Sequence, residues 1–316
     1  MKHRQRPILI LAVLLVLALI GELTYYTYLS KREDPIRQIS LIVYGSDPAR
    51  WENLRQGAEL AASDLHAEVT LITMSTEDDA LEQISLIERE IANGADALLI
   101  AACDSETVGA YMAHTRPKIP YLFVESGILT EDVLAASDEE MASSLAHTID
   151  ENEKDWIKVA LIADHLERES VRKRLEVMQD PGVKYADEVV LWERNEQEKN
   201  KKAQFFLQRE LTEEAVDVVV ALDNSSMEEL LDATVNLNKD IKIYGIANSN
   251  KSVYYLDNRL IKSLVFEDEF SIGYLGVQKV LDEKKREQEE TIRFEVVGYD
   301  AVYEAAHQKL LFPHVR

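Results

Sequence analysis

The chain has 316 residues, 46% hydrophobic and 29% charged, with 35 Lys and Arg against 58 Asp and Glu for a net charge of −23. That length suits two domains sharing a cleft, and the acidity excludes general binding to phosphate backbones, which would repel it. A single cysteine, Cys103, excludes an internal disulfide framework and a cysteine-based zinc cluster, and the seven histidines show no H-E-x-x-H or comparable ligand spacing.

The amino terminus carries Lys2, Arg4 and Arg6, then an uncharged run from Ile8 to Gly21, then Glu22 and the tyrosines Tyr25, Tyr26 and Tyr28. Ile8 through Leu29 is long enough, at about 1.5 Å per residue, to cross a bilayer. The tyrosines fall where an aromatic belt belongs, and the basic flank keeps the amino terminus in the cytoplasm. Residues 1–36 therefore read as a cytoplasmic tip and single-pass membrane anchor, with the body on the extracytoplasmic side of the cell membrane. The alternative is a signal peptide, although no small-x-small cleavage site follows the run. No cysteine follows it to accept a lipid. The body beyond residue 36 keeps a net charge of −25, so the anchor is its expected membrane contact.

From Ile39 one pattern repeats: a short β-branched apolar run, a polar turn, a helical stretch. The runs are 39–44, 69–74, 97–101, 121–124, 158–162, 188–192, 216–221, 242–246 and 261–266, and a last one covers 293–297. Between the first two, Leu54, Ala58, Ala61, Ala62 and Leu65 recur at near-helical spacing. Between the second and third, Ala80, Ile84, Ile87 and Ile91 do the same, and Asn93-Gly94 supplies a helix stop. Near-continuous apolar strands alternating with amphipathic helices predict α/β architecture with parallel sheets covered on both faces, doubly wound. Two smaller sheets suit the length better than one, with a break near the acidic stretch 137–140. The charged run 282–290 reads as a solvated helix end.

No phosphate loop, no G-x-G-x-x-G after the first strand and no G-x-S-x-G elbow is present. Carboxylate pairs carry no diagnostic weight in so acidic a chain. With no catalytic constellation, the chain does not read as an enzyme, and no cofactor or metal is expected. What remains is binding at the carboxyl ends of the strands, where doubly wound folds place ligands. Polar groups stand there: Gly45-Ser46-Asp47, Ser75-Thr76, Cys103-Asp104-Ser105, Glu125-Ser126-Gly127, Asp164-His165, Asp223-Asn224-Ser225 and Asn248-Ser249. Thr76, Ser105 and Ser225 read as helix N-caps. Trp51, a large ring in the first turn of the first helix, packs in the core or stacks on a ligand. Cys103 reads as an inert thiol beside the core.

Taken in order, the segments 39–44, 51–58, 93–100, Asp104-Ser105 with Val108-Gly109, Ile119-Pro120 through Glu125, Ala136-Ser137-Asp138, Arg172 with Arg174, and Ala221 with Asp223-Asn224 resemble the type 1 periplasmic binding proteins of the ribose/galactose group. The resemblance spans about residues 39–300. It implies two α/β lobes joined by three crossovers, near Asp138, Glu267 and Glu290, that close on a ligand. Lobe 1 would comprise 37–138 plus 268–290, and lobe 2 would comprise 139–267 plus 291–316. The family's sugar contacts carry over in part. Its first-helix aromatic matches Trp51, with Asp47 before it and Arg50 where a second aromatic is usual. Its acid after the fourth strand matches Glu125, and the arginine that follows is Ser126 here. The second-lobe arginine matches Arg174, and its Asn-Asp pair is reversed as Asp223-Asn224. The next Asp is lost to Ala247 with Asn248 adjacent, and the crossover Gln matches Glu267.

A pyranose needs flat apolar walls and planar bidentate partners. This site keeps one wall and one arginine and gathers Glu125, Asp223 and Glu267, which would not all stay ionised together without a cation. The expected ligand is therefore a sugar-like polyol, an amino sugar or another small polar molecule carrying positive charge. Hinge closure would present it to an ABC transporter permease or a sensor histidine kinase. The rival is a signalling scaffold, a co-sensor that keeps the fold without a ligand. No nucleic-acid partner is expected.

Overall fold

The computed structural model describes residues 15–25, 35–128, 133–199, 201–235, 237, 239, 241–305 and 307. Residues 15–25 are helical, and Leu15, Leu17, Leu19, Ile20 and Leu23 on them are exposed. They belong to a compact unit separate from the body that begins at Gln38. Among the described residues no helix is long and apolar enough to cross a membrane. Residues 8–14 and 26–29 of the expected anchor lie outside the described residues.

The body is built as the repeating pattern predicts. β1 (Arg37–Val43) opens on polar Arg37 and Gln38 and is buried from Ile39 to its end. A 3-10 turn (Pro48–Trp51) leads into α1 (Glu52–Asp64), whose Leu54, Ala58, Ala61 and Ala62 are buried on one face. β2 (Ala67–Thr73), α2 (Ala80–Asn93), β3 (Ala97–Ile100), α3 (Ser105–Thr115), β4 (Tyr121–Val124) and the two-residue β5 (Val133–Leu134) follow. Gly94 ends α2 in the left-handed region at φ 92°, which a glycine reaches without a Cβ penalty. These strands form one sheet in the order β2-β1-β3-β4-β5, with Ile39 paired to Ala97 and Ile42 to Ile100 in parallel.

The second half repeats the plan. α4 (Asp138–Asn152) leads to β6 (Lys158–Ile162), α5 (Glu169–Gln179), β7 (Glu188–Trp192), α6 (Glu196–Lys199), α7 (Ala203–Glu213), β8 (Val218–Ala221) and α8 (Asn224–Thr234). β9 (Lys242–Ile246), α9 (Asn250–Asp257), β10 (Ile261–Glu267), α10 (Glu269–Leu281), α11 (Glu283–Arg286) and β11 (Phe294–Gly298) complete it. The sheet order is β11-β10-β9-β8-β6-β7, parallel except for β10 with β11. Strands inside each sheet, such as β1, β3, β8 and β10, bury their Val, Ile and Leu almost completely, whereas Val189 and Leu191 on the edge strand β7 are exposed.

The chain passes three times between the two sheets. After β5 of the first sheet, α4 packs on β9, β10 and β11 of the second. After β10 it returns as α10, which packs on α1, β3 and β4, and β11 then rejoins the second sheet. α1 and α10 touch backbone to backbone. A Cβ placed on Gly57 would stand 1.9 Å from the Phe270 carbonyl oxygen, and one on Gly273 would stand 1.9 Å from that of Leu54. Only glycine permits that approach.

Two sequence expectations are refined. β5 is too short to show as an apolar run. The helix caps sit on neighbouring acids: Asp79 accepts from Leu81 and Glu82 N–H, Asp104 from Glu106 and Thr107 N–H, and Asp223 from Ser226 N–H. Thr76, Ser105 and Ser225 are not caps. A carboxylate both accepts the hydrogen bonds and complements the positive end of the helix, which leaves the hydroxyls of Ser105 and Ser225 to face the other half.

Candidate functional site

The site lies at the carboxyl ends of the strands, where loops from the two sheets meet. Tyr44 closes β1, and Gly45 turns the chain at φ +76°. One oxygen of the Asp47 carboxylate caps the 3-10 turn by accepting from Ala49 N–H at 2.9 Å. Trp51 is fully buried. It packs edge-on against Tyr44 with centroids 4.8 Å apart and donates its indole N–H to the Tyr44 carbonyl at 3.0 Å. The Arg50 guanidinium lies 4.3 Å from the Trp51 ring. Arg50 also pairs with Glu269 and stands 3.8 Å from Glu125. Glu125, held at φ +62°, accepts from the Tyr44 hydroxyl at 2.8 Å. The structure thus gathers Arg50, Trp51 and Glu125 around Tyr44 and Glu269.

Arg174 and Glu267 form a second group. Arg174 donates to Asp138 at 2.7 Å and to the Leu222 carbonyl at 2.9 Å. Glu267 accepts from Ala136 N–H at 3.2 Å. Asp223 spends its carboxylate on the start of α8. Asn248 accepts from the Asn224 amide at 2.9 Å. Ser126 is buried, and its hydroxyl has no hydrogen-bond partner among the described residues. Burial, and then the neighbouring Glu125, push Glu267 up to about 8, against the weaker pull of Arg174. Burial likewise lifts Asp138 to about 6, with Arg174 opposing. Glu269 rises by burial in spite of Arg50. Burial first, and then the neighbouring carboxylates, favour the neutral form of Glu267.

A third group joins the two halves. Arg168, from the loop before α5, is fully buried and donates to Glu77 and Asp78, each at 2.7 Å. Its guanidinium lies over the Tyr44 ring at 3.7 Å. His165 Nδ1 stands 2.6 Å from Asp78, and the Ser225 hydroxyl donates to Glu77. Ser105 N–H donates to the Glu167 carbonyl at 2.9 Å, while its hydroxyl accepts from Glu169 N–H at 2.8 Å. Burial would raise Asp78, but the hydrogen bond to His165 and the charge of Arg168 hold it well below the usual carboxylate range. Burial and Arg168 pull His165 down, yet Asp78 and Asp223 outweigh them and lift it to about 9. Cys103 is pushed up to about 12, chiefly by burial, which disfavours the reactive thiolate.

Between the halves lies a cavity of about 630 Å³. Asp47, Arg50 and Trp51 line it from the first half, and Asp164, His165, Arg194 and Glu229 are among its walls from the second. Of the residues singled out in the sequence, Glu125, Ser126, Arg174, Asp223 and Glu267 are buried and Asn248 is half-buried; none of these six lines the cavity. Tyr44, Glu77, Asp78, Arg168 and Glu269 went unnoticed in the sequence. Their one signal is position, since each lies at or just beyond the carboxyl end of a strand or opens a helix there.

The chain belongs to the periplasmic binding protein domain family, which matches residues 39–287. Solved structures share its fold. An ABC transporter solute-binding protein from Agrobacterium vitis with bound D-fucose is 16% identical, covers 87% of this chain and 100% of its own, and superposes with a TM-score of 0.75. A second from the same organism, bound with α-D-tagatopyranose, is 19% identical, covers 87% and 99%, and has a TM-score of 0.72. A structure described as the XylFII-LytSN complex is 13% identical, covers 84% and 99%, and has a TM-score of 0.68. No curated protein sequence matches the chain significantly.

Proposed function

We propose that the protein is an extracytoplasmic solute-binding protein, held at the membrane by its amino-terminal segment, that takes a small sugar-like or otherwise polar ligand between its two halves. Residues 1–36 form the anchor in this reading, 37–138 with 268–290 one lobe, and 139–267 with 291–316 the other. The observation that carries it is the cavity of about 630 Å³ lined from both sheets. Its size suits a small molecule, and a ligand touching both halves stabilises the shut form over the open one by its difference in affinity for the two. Walls in which, among the described residues, nine carboxylates outnumber Arg50, Arg194 and three lysines favour a ligand with amino groups or many hydroxyls. The sugar-bound relatives support the sugar class. The shut form is what an ABC permease or a histidine kinase would read, and a fixed tether favours the kinase by keeping the local concentration high. The resemblance to the XylFII-LytSN complex supports a protein partner of some kind.

One observation favours a second reading, a signalling protein that needs no ligand. The face of Trp51 is covered by Arg50, and Arg168 already bridges the halves. Thermal melting of the full chain against a panel of hexoses, pentoses, polyols, amino sugars and polyamines separates the two. Ligand binding predicts a rise for one chemical class, lost in Trp51→Ala and Arg194→Ala, which alter the cavity wall. A flat response across the whole panel supports the ligand-free reading instead.

A further inference from the structure

Among the buried nitrogens at the cavity wall that the ion pairs leave without a partner, one belongs to a histidine. Asp164 and His165 follow β6, and Glu229 lies on α8. One ligand atom of each stands within 4.8 Å of the others, and all three line the cavity. His165 is 4% exposed. Its Nδ1 is engaged by Asp78 at 2.6 Å, while Nε2 is buried and has no hydrogen-bond partner among the described residues.

An imidazole fixed at one nitrogen by a carboxylate, with the other shielded and free, has the form of a metal-ligating histidine. The carboxylate sets the ring's orientation and tautomer and raises the basicity of the free nitrogen. Asp164 has capacity to spare. One oxygen accepts from the His165 backbone N–H at 3.2 Å and the other pairs with Arg194 at 2.6 Å, whereas a carboxylate offers about four acceptor sites. Arg194 and Arg168 offset two negative charges, and the four acids Asp164, Glu229, Asp78 and Glu77 still leave the surroundings favourable to a cation.

We propose that Asp164, His165 and Glu229 bind a divalent transition metal of zinc type, with Asp78 as the positioning residue behind His165. One imidazole and two carboxylates suit such an ion, whereas calcium and magnesium prefer oxygen alone. The cation takes the place of a proton on Nε2, and its remaining coordination position faces the cavity. The three ligands come from the second half and Asp78 from the first, so metal binding favours the shut form. The site does not depend on what the cavity otherwise accepts.

The test uses the untagged full chain in mild detergent, stripped with chelator and titrated with ZnCl2 by calorimetry and thermal melting. A saturable site that raises the melting temperature, with the rise reversed by EDTA and not given by CaCl2, is expected. His165→Gln and Glu229→Gln should each weaken it at least tenfold, and Asp78→Asn by about 10–100-fold. Visible absorption of the Co2+ form should change in all three variants. If His165→Gln fails to fold, Glu229→Gln decides, because that side chain is half-buried. No stabilisation of the wild type by Zn2+, or stabilisation kept in Glu229→Gln, overturns the proposal. Either result leaves the response to the sugar panel intact, so the two readings fail separately.

Discussion

Glu267 shows how burial sets charge at a single residue. Its ordinary value of 4.5 rises to about 8 in the folded protein. A carboxyl group raised on folding binds its proton more tightly in the native state, so stability falls as pH climbs from about 4.5 through 8. Asp138, raised from 3.8 to about 6, adds to the slope at its acidic end. Glu267→Gln mimics the neutral acid, and urea unfolding across that range should show a flatter profile for the variant, which overtakes the wild type near pH 8. An unchanged slope would mean that Glu267 is ionised in the fold. Arg168 makes a different prediction. Arg168→Met removes two charge-assisted hydrogen bonds between the halves, each worth about 1.5–3 kcal/mol. The loss should lie toward the low end of that range in total, since Glu77 and Asp78 are about one-third exposed. Small-angle scattering should register a larger radius of gyration as the halves part; an unchanged radius would show that Arg168 does not hold them shut.

Among the elements, α1 against α10 is the contact least tolerant of change. Gly273→Ala places a Cβ on the Leu54 carbonyl, and backbone cannot rotate aside as a side chain can. The cost should reach the upper end of the about 1–3 kcal/mol typical of overpacking, seen as a lower melting temperature. Gly276→Ala, whose Cβ would meet only the Leu99 and Val124 side chains at 3.3 Å or more, should cost less. Equal losses would show that the helix contact is not special. The sequence makes elements of this kind legible because burial on both faces demands continuous apolar runs such as Leu41–Val43 or Val218–Ala221. It hides β5, where Val133 and Leu134 are too few to form a pattern. It also misplaces caps by a residue or more, because Asp104 and Ser105 are both good capping types and only geometry decides between them.

For the whole molecule, the two sheets and their loops follow from the rhythm of strand and helix, and Trp51, Glu125, Arg174 and Glu267 are drawn out by family resemblance. The contacts between the halves are not legible in that way. Glu77 and Asp78 lie about 90 residues from Arg168, and in a chain of net charge −23 two more acids attract no notice until the fold puts them opposite a buried guanidinium. His165 is similar, since its leftover nitrogen acquires meaning only beside Glu229 on another element.

The claim that two halves shut on a guest is tested most directly by hydrogen exchange, using whichever panel compound raises the melting temperature most. The account predicts slower exchange together in 44–51 and 76–79 of the first half and in 164–168 and 224–229 of the second. Protection confined to one half, or exchange that no compound alters, would contradict it.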